Sequence, residues 1–303
     1  MSFGLSSEGA TKAKVNSDGR GRERRRQPDE HQAPRDDTDL PRTIEEKPTV
    51  DGPSRGLLPE RGLLKQGRMK RHAIRGFEEV EIWVFDLDNT LYPHHLNLWQ
   101  QVDTRIRDYI VDFLKVTHDE AFVLQKDYYR RYGTMMRGLM EEHGLDPDTF
   151  LEVVHEIDHS PLTPDPALGA AIAGLPGRKL ILTNGTRAHA QAVMQRLEIE
   201  QHFEDVFDIA AADLEPKPRP QFYHRFLARH GVDPRKTAMF EDLARNLEVP
   251  HALGITTVLV VPAGSREVFR EEWELAGRDA PYVDHVTDDL AGFLGLIATQ
   301  GGH

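Results

Sequence analysis

A short apolar run that breaks at two carboxylates constrains this chain more than any other stretch. Ile82, Trp83, Val84 and Phe85 lead directly into Asp86, Leu87 and Asp88. An apolar run of this length, ended by a polar break, reads as a buried parallel strand. Its carboxyl end is then where an open α/β sheet places its ligand. Two carboxylates one residue apart repel each other unless a cation or a shared proton relieves them. Mg²⁺, which takes few carboxylates and keeps some of its water, answers that requirement. Two other readings stay open on this motif alone. It can be an acidic turn that closes the strand, or an Asp-x-Asp that holds a metal-bound nucleotide sugar in a glycosyltransferase.

Composition narrows the setting. The 303 residues suffice for one large domain or two modest ones. No apolar run approaches the roughly 18 residues of a membrane span. The amino-terminal residues carry no apolar core of the signal-peptide kind. The chain has no cysteine, which excludes disulfides, a thiolate nucleophile and cysteine-based zinc sites. These features predict a cytoplasmic, water-soluble protein with no membrane partner. The formal net charge of −12 is unevenly spread. Residues 1–75 carry 17 Lys plus Arg against 12 Asp plus Glu, whereas the remainder carries 21 against 38. A folded part this acidic is not built to lie along nucleic acid. Only the basic clusters at 22–26 and 65–75 offer charge to RNA or an anionic lipid.

Residues 1–75 are rich in Gly, Pro, Arg, Asp and Ser, and no helical or strand period survives there for long. Such a segment cannot offset its ordering entropy by burial. It is predicted to be a disordered, charged leader. After the strand at 81–87, Leu98, Val102, Ile106 and Ile110 recur at helical spacing. Thr117 and Glu120 form a capping-box pattern for a second helix that ends at Gly133. A third helix is expected from Met136 to His143. Asp146 and Pro147 supply an N-cap and first-turn proline for a fourth. Residues 93–162 therefore read as an all-helical insertion, a small cap.

From 163 onward strands alternate with helices. Strands are expected over 178–183, 206–209, 237–240 and 255–261, and helices over 166–175, 219–230, 244–253 and 289–298. Another helix follows Asn184-Gly185, with Ala190, Val193 and Leu197 inward. This alternation predicts an α/β fold with a doubly wound parallel sheet, covered on both faces. The core would comprise residues 76–92 and 163–303, with the helical cap inserted after the first strand.

Three further polar clusters fall where parallel strands end. Thr183, Asn184 and Gly185 lie at a strand-to-helix seam, where free backbone N–H groups suit an anion; the bland alternative is a turn with an N-cap. Lys217 stands between Pro216 and Pro218 in a stiffened loop. There it can neutralise a phosphate or a carboxylate, or be one surface lysine among many. Glu241 and Asp242 close another strand, with Asn246 a helical turn further on; acidic helix caps look the same. Together the clusters supply metal carboxylates, a hydroxyl for phosphate, a lysine and an acid.

The ordered series Asp86-Leu87-Asp88-Asn89-Thr90, Thr183, Lys217 and Glu241-Asp242 resembles the four motifs of the haloacid dehalogenase-like hydrolase superfamily, over residues 80–265. A helical insertion just after the first motif matches members that carry a cap at that point. Finer features resemble the pyrimidine 5′-nucleotidase branch: Asn89 to Pro93, Tyr132-Gly133-Thr134, Arg137-Gly138-Leu139, Leu162 to Pro166, Leu182 to Gly185 with His189-Ala190, and Asn246. Met135-Met136 departs from that pattern, where a small polar residue is expected before Arg137, and bears on substrate choice.

The resemblance and the chemistry together imply roles. Asp86 would be the nucleophile and form an aspartyl-phosphate. Asp88 would serve as acid and then base. Mg²⁺ would be held by Asp86, the backbone carbonyl of Asp88 and Asp242, with Glu241 acting through water and Asn246 one layer behind. Thr183, Asn184 and Lys217 would grip phosphate. Arg137, Tyr132 and His189 are the candidates for touching the substrate, a small phosphomonoester. The expected function is a Mg²⁺-dependent phosphomonoesterase acting on a pyrimidine nucleoside 5′-monophosphate. The alternatives are a capped phosphatase for sugar or glycolytic phosphates and, from another class, a non-catalytic binding or regulatory protein on the same fold. A dehalogenase would not need Asp88 as acid and base, and a glycosyltransferase would not need Thr183 and Lys217.

Overall fold

The computed structural model describes residues 74–262 and 277–300. All but the last two residues of the expected leader lie outside them. Six strands form one sheet: β1 (Ile82–Phe85), β2 (Arg178–Leu182), β3 (Asp205–Phe207), β4 (Thr237–Glu241), β5 (Thr256–Val260) and β6 (His285–Thr287). Their order is β3-β2-β1-β4-β5-β6, and every pairing is parallel. This is the α/β architecture that the strand-helix alternation predicts.

β1 is apolar throughout because both of its faces are covered. Trp83 and Phe85 point to one side, against α5 (Pro166–Ala173), α6 (Arg187–Leu197) and α9 (Leu290–Gln300). Ile82 and Val84 point to the other, towards α7 (Pro220–His230). Burying one such side chain contributes about 1.5–3 kcal/mol. The chain runs outward from β1 to β3 and then returns to place β4 on the other side of β1. That reversal opens a crevice beyond the carboxyl ends of β1 and β4.

Four helices stand between β1 and α5: α1 (Leu98–Leu114), α2 (His118–Tyr132), α3 (Met135–His143) and α4 (Pro147–Val154). They share an apolar cluster that includes Val102, Ile106, Ile110, Met136 and Phe150. The capping box at Thr117 and Glu120 is complete, and Gly133 ends α2 in the left-handed region. Gly138 lets α3 lie against α2, since a Cβ there would stand 2.5 Å from the Tyr128 ring.

Two expectations differ from the structure. The helix expected over 244–253 is broken into a 3-10 turn at Ala244–Asn246 and a short α8 (Glu248–Leu253). Pro250 explains the break: its ring would meet the carbonyl four residues back, at Asn246, and it has no N–H to donate. β6 has no counterpart among the expected strands. It is three residues long at the sheet edge, too short to show a period. No described helix is long and apolar enough to cross a membrane.

Candidate active site

Asp86 follows β1 directly, and its N–H extends the ladder by donating to Phe240 O at 2.9 Å. The chain then turns sharply, with Asn89 at φ 60°, a region that asparagine tolerates. Thr90 donates to Asp86 Oδ2 at 2.9 Å, and Tyr92 donates to Asp88 Oδ1 at 2.6 Å. Each carboxylate thus receives a hydroxyl from four residues on.

Lys217 crosses the crevice. Its ammonium donates to Asp86 Oδ1 at 2.6 Å, Glu241 Oε2 at 2.8 Å and the Leu182 carbonyl at 3.0 Å. All three groups that would neutralise one another are buried. Burial opposes the charge on Lys217, yet the Asp86 and Glu241 carboxylates hold its pKa above the usual lysine range. Burial pushes Asp86 up to about 6, with Asp242 and Asp88 adding to it and Lys217 opposing. Burial and Asp86 also raise Glu241 well above the carboxylate range, against the pull of Lys217.

Asp86, Glu241 and Asp242 offer ligand oxygens that all lie within 4.8 Å of one another. Burial and the neighbouring carboxylates disfavour charge on Asp86 and Glu241, a repulsion that a bound cation would relieve. The donors are all hard oxygens, which suits a divalent cation such as Mg²⁺ or Ca²⁺ rather than a thiophilic metal. Asn246 Nδ2 donates to Glu241 Oε1 at 3.0 Å. Its own buried Oδ1 has no hydrogen-bond partner among the described residues. The set can therefore hold a divalent metal.

A second constellation surrounds Asp88. His189 Nε2 lies 2.8 Å from Asp88 Oδ1, and His189 Nδ1 lies 3.1 Å from His159 Nε2. Burial works against a charge on His189, but Asp88 more than offsets it and raises its pKa. Burial likewise raises Asp88, and the His189 charge and hydrogen bond reverse the sign, leaving Asp88 below its usual range. His155, whose ring centroid is 5.2 Å from that of His189, is pushed down to about 4 by burial and by His189. It is neutral at physiological pH.

Asp86, Asp88, Thr183 and Lys217 line one cavity of about 140 Å³, as do Asn184, Glu241, Asp242 and Asn246. Thr183 Oγ1 accepts from Gly185 N at 2.9 Å, a turn that faces Lys217. Asn184 uses its side chain elsewhere than sequence reasoning placed it: Oδ1 accepts from Lys217 N at 2.8 Å and Nδ2 donates to Lys217 O at 3.3 Å. It clamps the lysine loop. The structure does not bring Arg137 and Tyr132 to the cavity wall. Arg137 pairs with Glu141 at 2.6 Å and Glu215 at 3.1 Å, and Tyr132 donates to Glu142 at 2.7 Å. His189 reaches Asp88 instead of standing on the wall. Thr90 and Tyr92 fall within the motif stretches, but no role is predicted for them from sequence; their i+4 spacing from Asp86 and Asp88 is the readable signal of these contacts.

The carboxylates, lysine and hydroxyl thus gather beyond the carboxyl ends of a parallel α/β sheet. The chain belongs to the haloacid dehalogenase-like hydrolase family, whose model matches residues 80–254. Among curated proteins it is similar to phosphate metabolism protein 8 of Saccharomyces cerevisiae, 24% identical over 200 residues that cover 59% of this chain. The match spans 61% of that relative's length. Among solved structures, a phosphatase of the same superfamily from Thermococcus onnurineus is 16% identical with a TM-score of 0.48, covering 72% of this chain and 98% of that one. L-2-haloacid dehalogenase from Xanthobacter autotrophicus is 18% identical with a TM-score of 0.47, covering 74% of this chain and 100% of that one. At these scores neither likeness bears on chemistry.

Proposed function

We propose that the protein is a Mg²⁺-dependent phosphomonoesterase that acts through an aspartyl-phosphate on a small ester, a pyrimidine nucleoside 5′-monophosphate. Residues 93–162 would be its cap, over a core of 76–92 and 163–303. The observation that carries this reading is the buried set of Asp86, Lys217 and Glu241, joined by bonds of 2.6 and 2.8 Å. A folded protein gains little from burying such charges, and breaking the set costs several kcal/mol. A binding protein would have no use for that cost. A phosphoryl-transfer site does, because pre-oriented charge is what stabilises its transition state.

Asp86, Asp242 and the backbone of Asp88 would hold Mg²⁺, with Glu241 and Asn246 behind them; the ion supplies positive charge against the phosphoryl oxygens. A carboxylate oxygen of Asp86 attacks phosphorus, and the ester P–O bond breaks. The leaving oxygen takes from Asp88 the proton that Asp88 shares with His189 across their 2.8 Å hydrogen bond. Water then attacks the phosphorus of the aspartyl-phosphate, gives its proton to Asp88, and Asp86 departs as carboxylate. Lys217 and Thr183 hold the phosphoryl oxygens throughout. Asp88 is positioned for both transfers by His189 and Tyr92.

The cavity wall supports the choice of leaving group. Trp99, Val102, Ile106, Met136 and Phe150 give it a mainly apolar character, on which a polyhydroxyl sugar would leave hydroxyls unpaired. A volume of about 140 Å³ is near that of a cavity that takes one six-membered ring. The deciding experiment is phosphate release from UMP, CMP, AMP, GMP, hexose phosphates and p-nitrophenyl phosphate, with and without Mg²⁺. The expected kcat/KM for UMP and CMP exceeds that for purine and sugar esters by about tenfold or more. Equal rates across the panel remove the nucleotidase reading and leave a general phosphatase.

The positioning role of His189 makes a separate prediction. His189→Ala should slow nucleotide hydrolysis by about 10- to 100-fold, and slow p-nitrophenyl phosphate, whose leaving group needs no proton, far less. His189→Gln, whose amide can replace Nε2 as a donor to Asp88, should recover part of the loss. Equal losses on both esters would show that His189 serves only the fold.

A further inference from the structure

α2 contributes one amide side chain to the cavity that the mechanism above does not use. Gln125 is buried and lines the cavity beside Asp103. Its Nε2 donates to Asp103 Oδ1 at 2.7 Å, with the Asp103 carbonyl at 3.4 Å. Asp103 is fixed in turn by Arg107, which donates to its Oδ2 at 2.7 Å. Turning the amide over would set its oxygen against two acceptors, so the orientation follows from the partners. The end left over is Oε1. It is buried and has no hydrogen-bond partner among the described residues. Native proteins seldom leave a buried acceptor in that condition unless something else is meant to meet it.

The surroundings define what can meet it. Val102, Ile106, Met136 and Phe150 are buried apolar neighbours in the same wall. Lys126 also lines the cavity, but its ammonium sits over the Phe122 ring at 5.2 Å. Both oxygens of the neighbouring Asp103 are already engaged, by Gln125 and by Arg107, which leaves Gln125 Oε1 as the open acceptor of this pair. A matching group has a flat, weakly polar body and an N–H on the edge turned towards α2.

We propose that Gln125 is a specificity-determining residue, whose amide oxygen accepts a hydrogen bond from a ring N–H or amino group of the leaving nucleoside. This rests on the phosphomonoesterase reading above and adds the residue that reads the base. Uracil carries such a donor at N3 and cytosine at its amino group.

The test compares UMP with N3-methyluridine 5′-monophosphate, which lacks the donor, using p-nitrophenyl phosphate as a third ester, in wild type and Gln125→Met. Wild type is expected to prefer UMP over the N3-methyl ester by roughly 10² or more in kcat/KM, as sites built around a donor do. Gln125→Met keeps the bulk and removes the acceptor. It should bring that ratio towards one, and lower activity on UMP at least tenfold more than on p-nitrophenyl phosphate. Wild type that hydrolyses both nucleotides alike overturns the inference even if the variant does not fold. So does a ratio that survives in Gln125→Met, because exclusion of the methyl group is then steric. Release from p-nitrophenyl phosphate but from neither nucleotide removes the pyrimidine reading and this inference with it. Release from no ester removes the phosphatase reading itself.

Discussion

Asp86→Asn is expected to lower phosphate release by roughly 10⁴-fold or more, the scale of loss when a covalent nucleophile is removed, while leaving the protein folded. Asparagine has the same shape and can still meet Thr90 and Lys217. It removes a carboxylate that burial, Asp242 and Asp88 all disfavour, so the metal-free melting temperature should hold or rise. Lys217 keeps Glu241 as a partner at 2.8 Å. Steady-state turnover and a thermal melt on the same preparation check both halves. Appreciable turnover by pure Asp86→Asn would falsify the nucleophile assignment.

Lys217→Met should have the opposite effect on stability and a comparable one on rate. Methionine fills much of the same space but leaves Asp86 and Glu241 facing each other without their shared cation. Removing one partner of a buried ion pair costs about 3–5 kcal/mol. At about 2–4 °C per kcal/mol for a domain of this size, melting falls by roughly 6–20 °C. Loss of a phosphoryl-oxygen donor should lower kcat by roughly 10³-fold. Mg²⁺ should recover part of the lost stability by supplying charge, and little of the lost rate. An unchanged melting temperature would mean that the ammonium does not bear the charge of these carboxylates.

The parts of the fold that were legible in the sequence are those set by local rules. β1 announces itself because burial on both faces demands an unbroken apolar run. The box at Thr117 and Glu120 is complete within four residues. β6 and the break before α8 are not legible in the same way. The first draws its order from pairing with β5, and the second from a clash of Pro250 that an apolar period conceals. The candidate site divides along the same line. Asp86 and Asp242 directly follow strands and Lys217 stands between two prolines, places where a chain pattern can point. The contact of His189 with Asp88 spans 101 residues, and the pairing of Arg137 with Glu215 depends on how α3 meets the lysine loop. Gln125 reads in sequence as one more polar position on an amphipathic helix. Its distinction is an oxygen without a partner among the described residues, which only packing reveals.

The two hydrogen bonds between the Asn184 side chain and the Lys217 backbone join stretches 33 residues apart. The turn at Thr183 and the loop at Lys217 are therefore a single heritable part. A replacement of Asn184 moves the ammonium as well as the turn, and a change in the loop's proline frame moves the turn as well as the ammonium. Paired substitutions across the two stretches will not add.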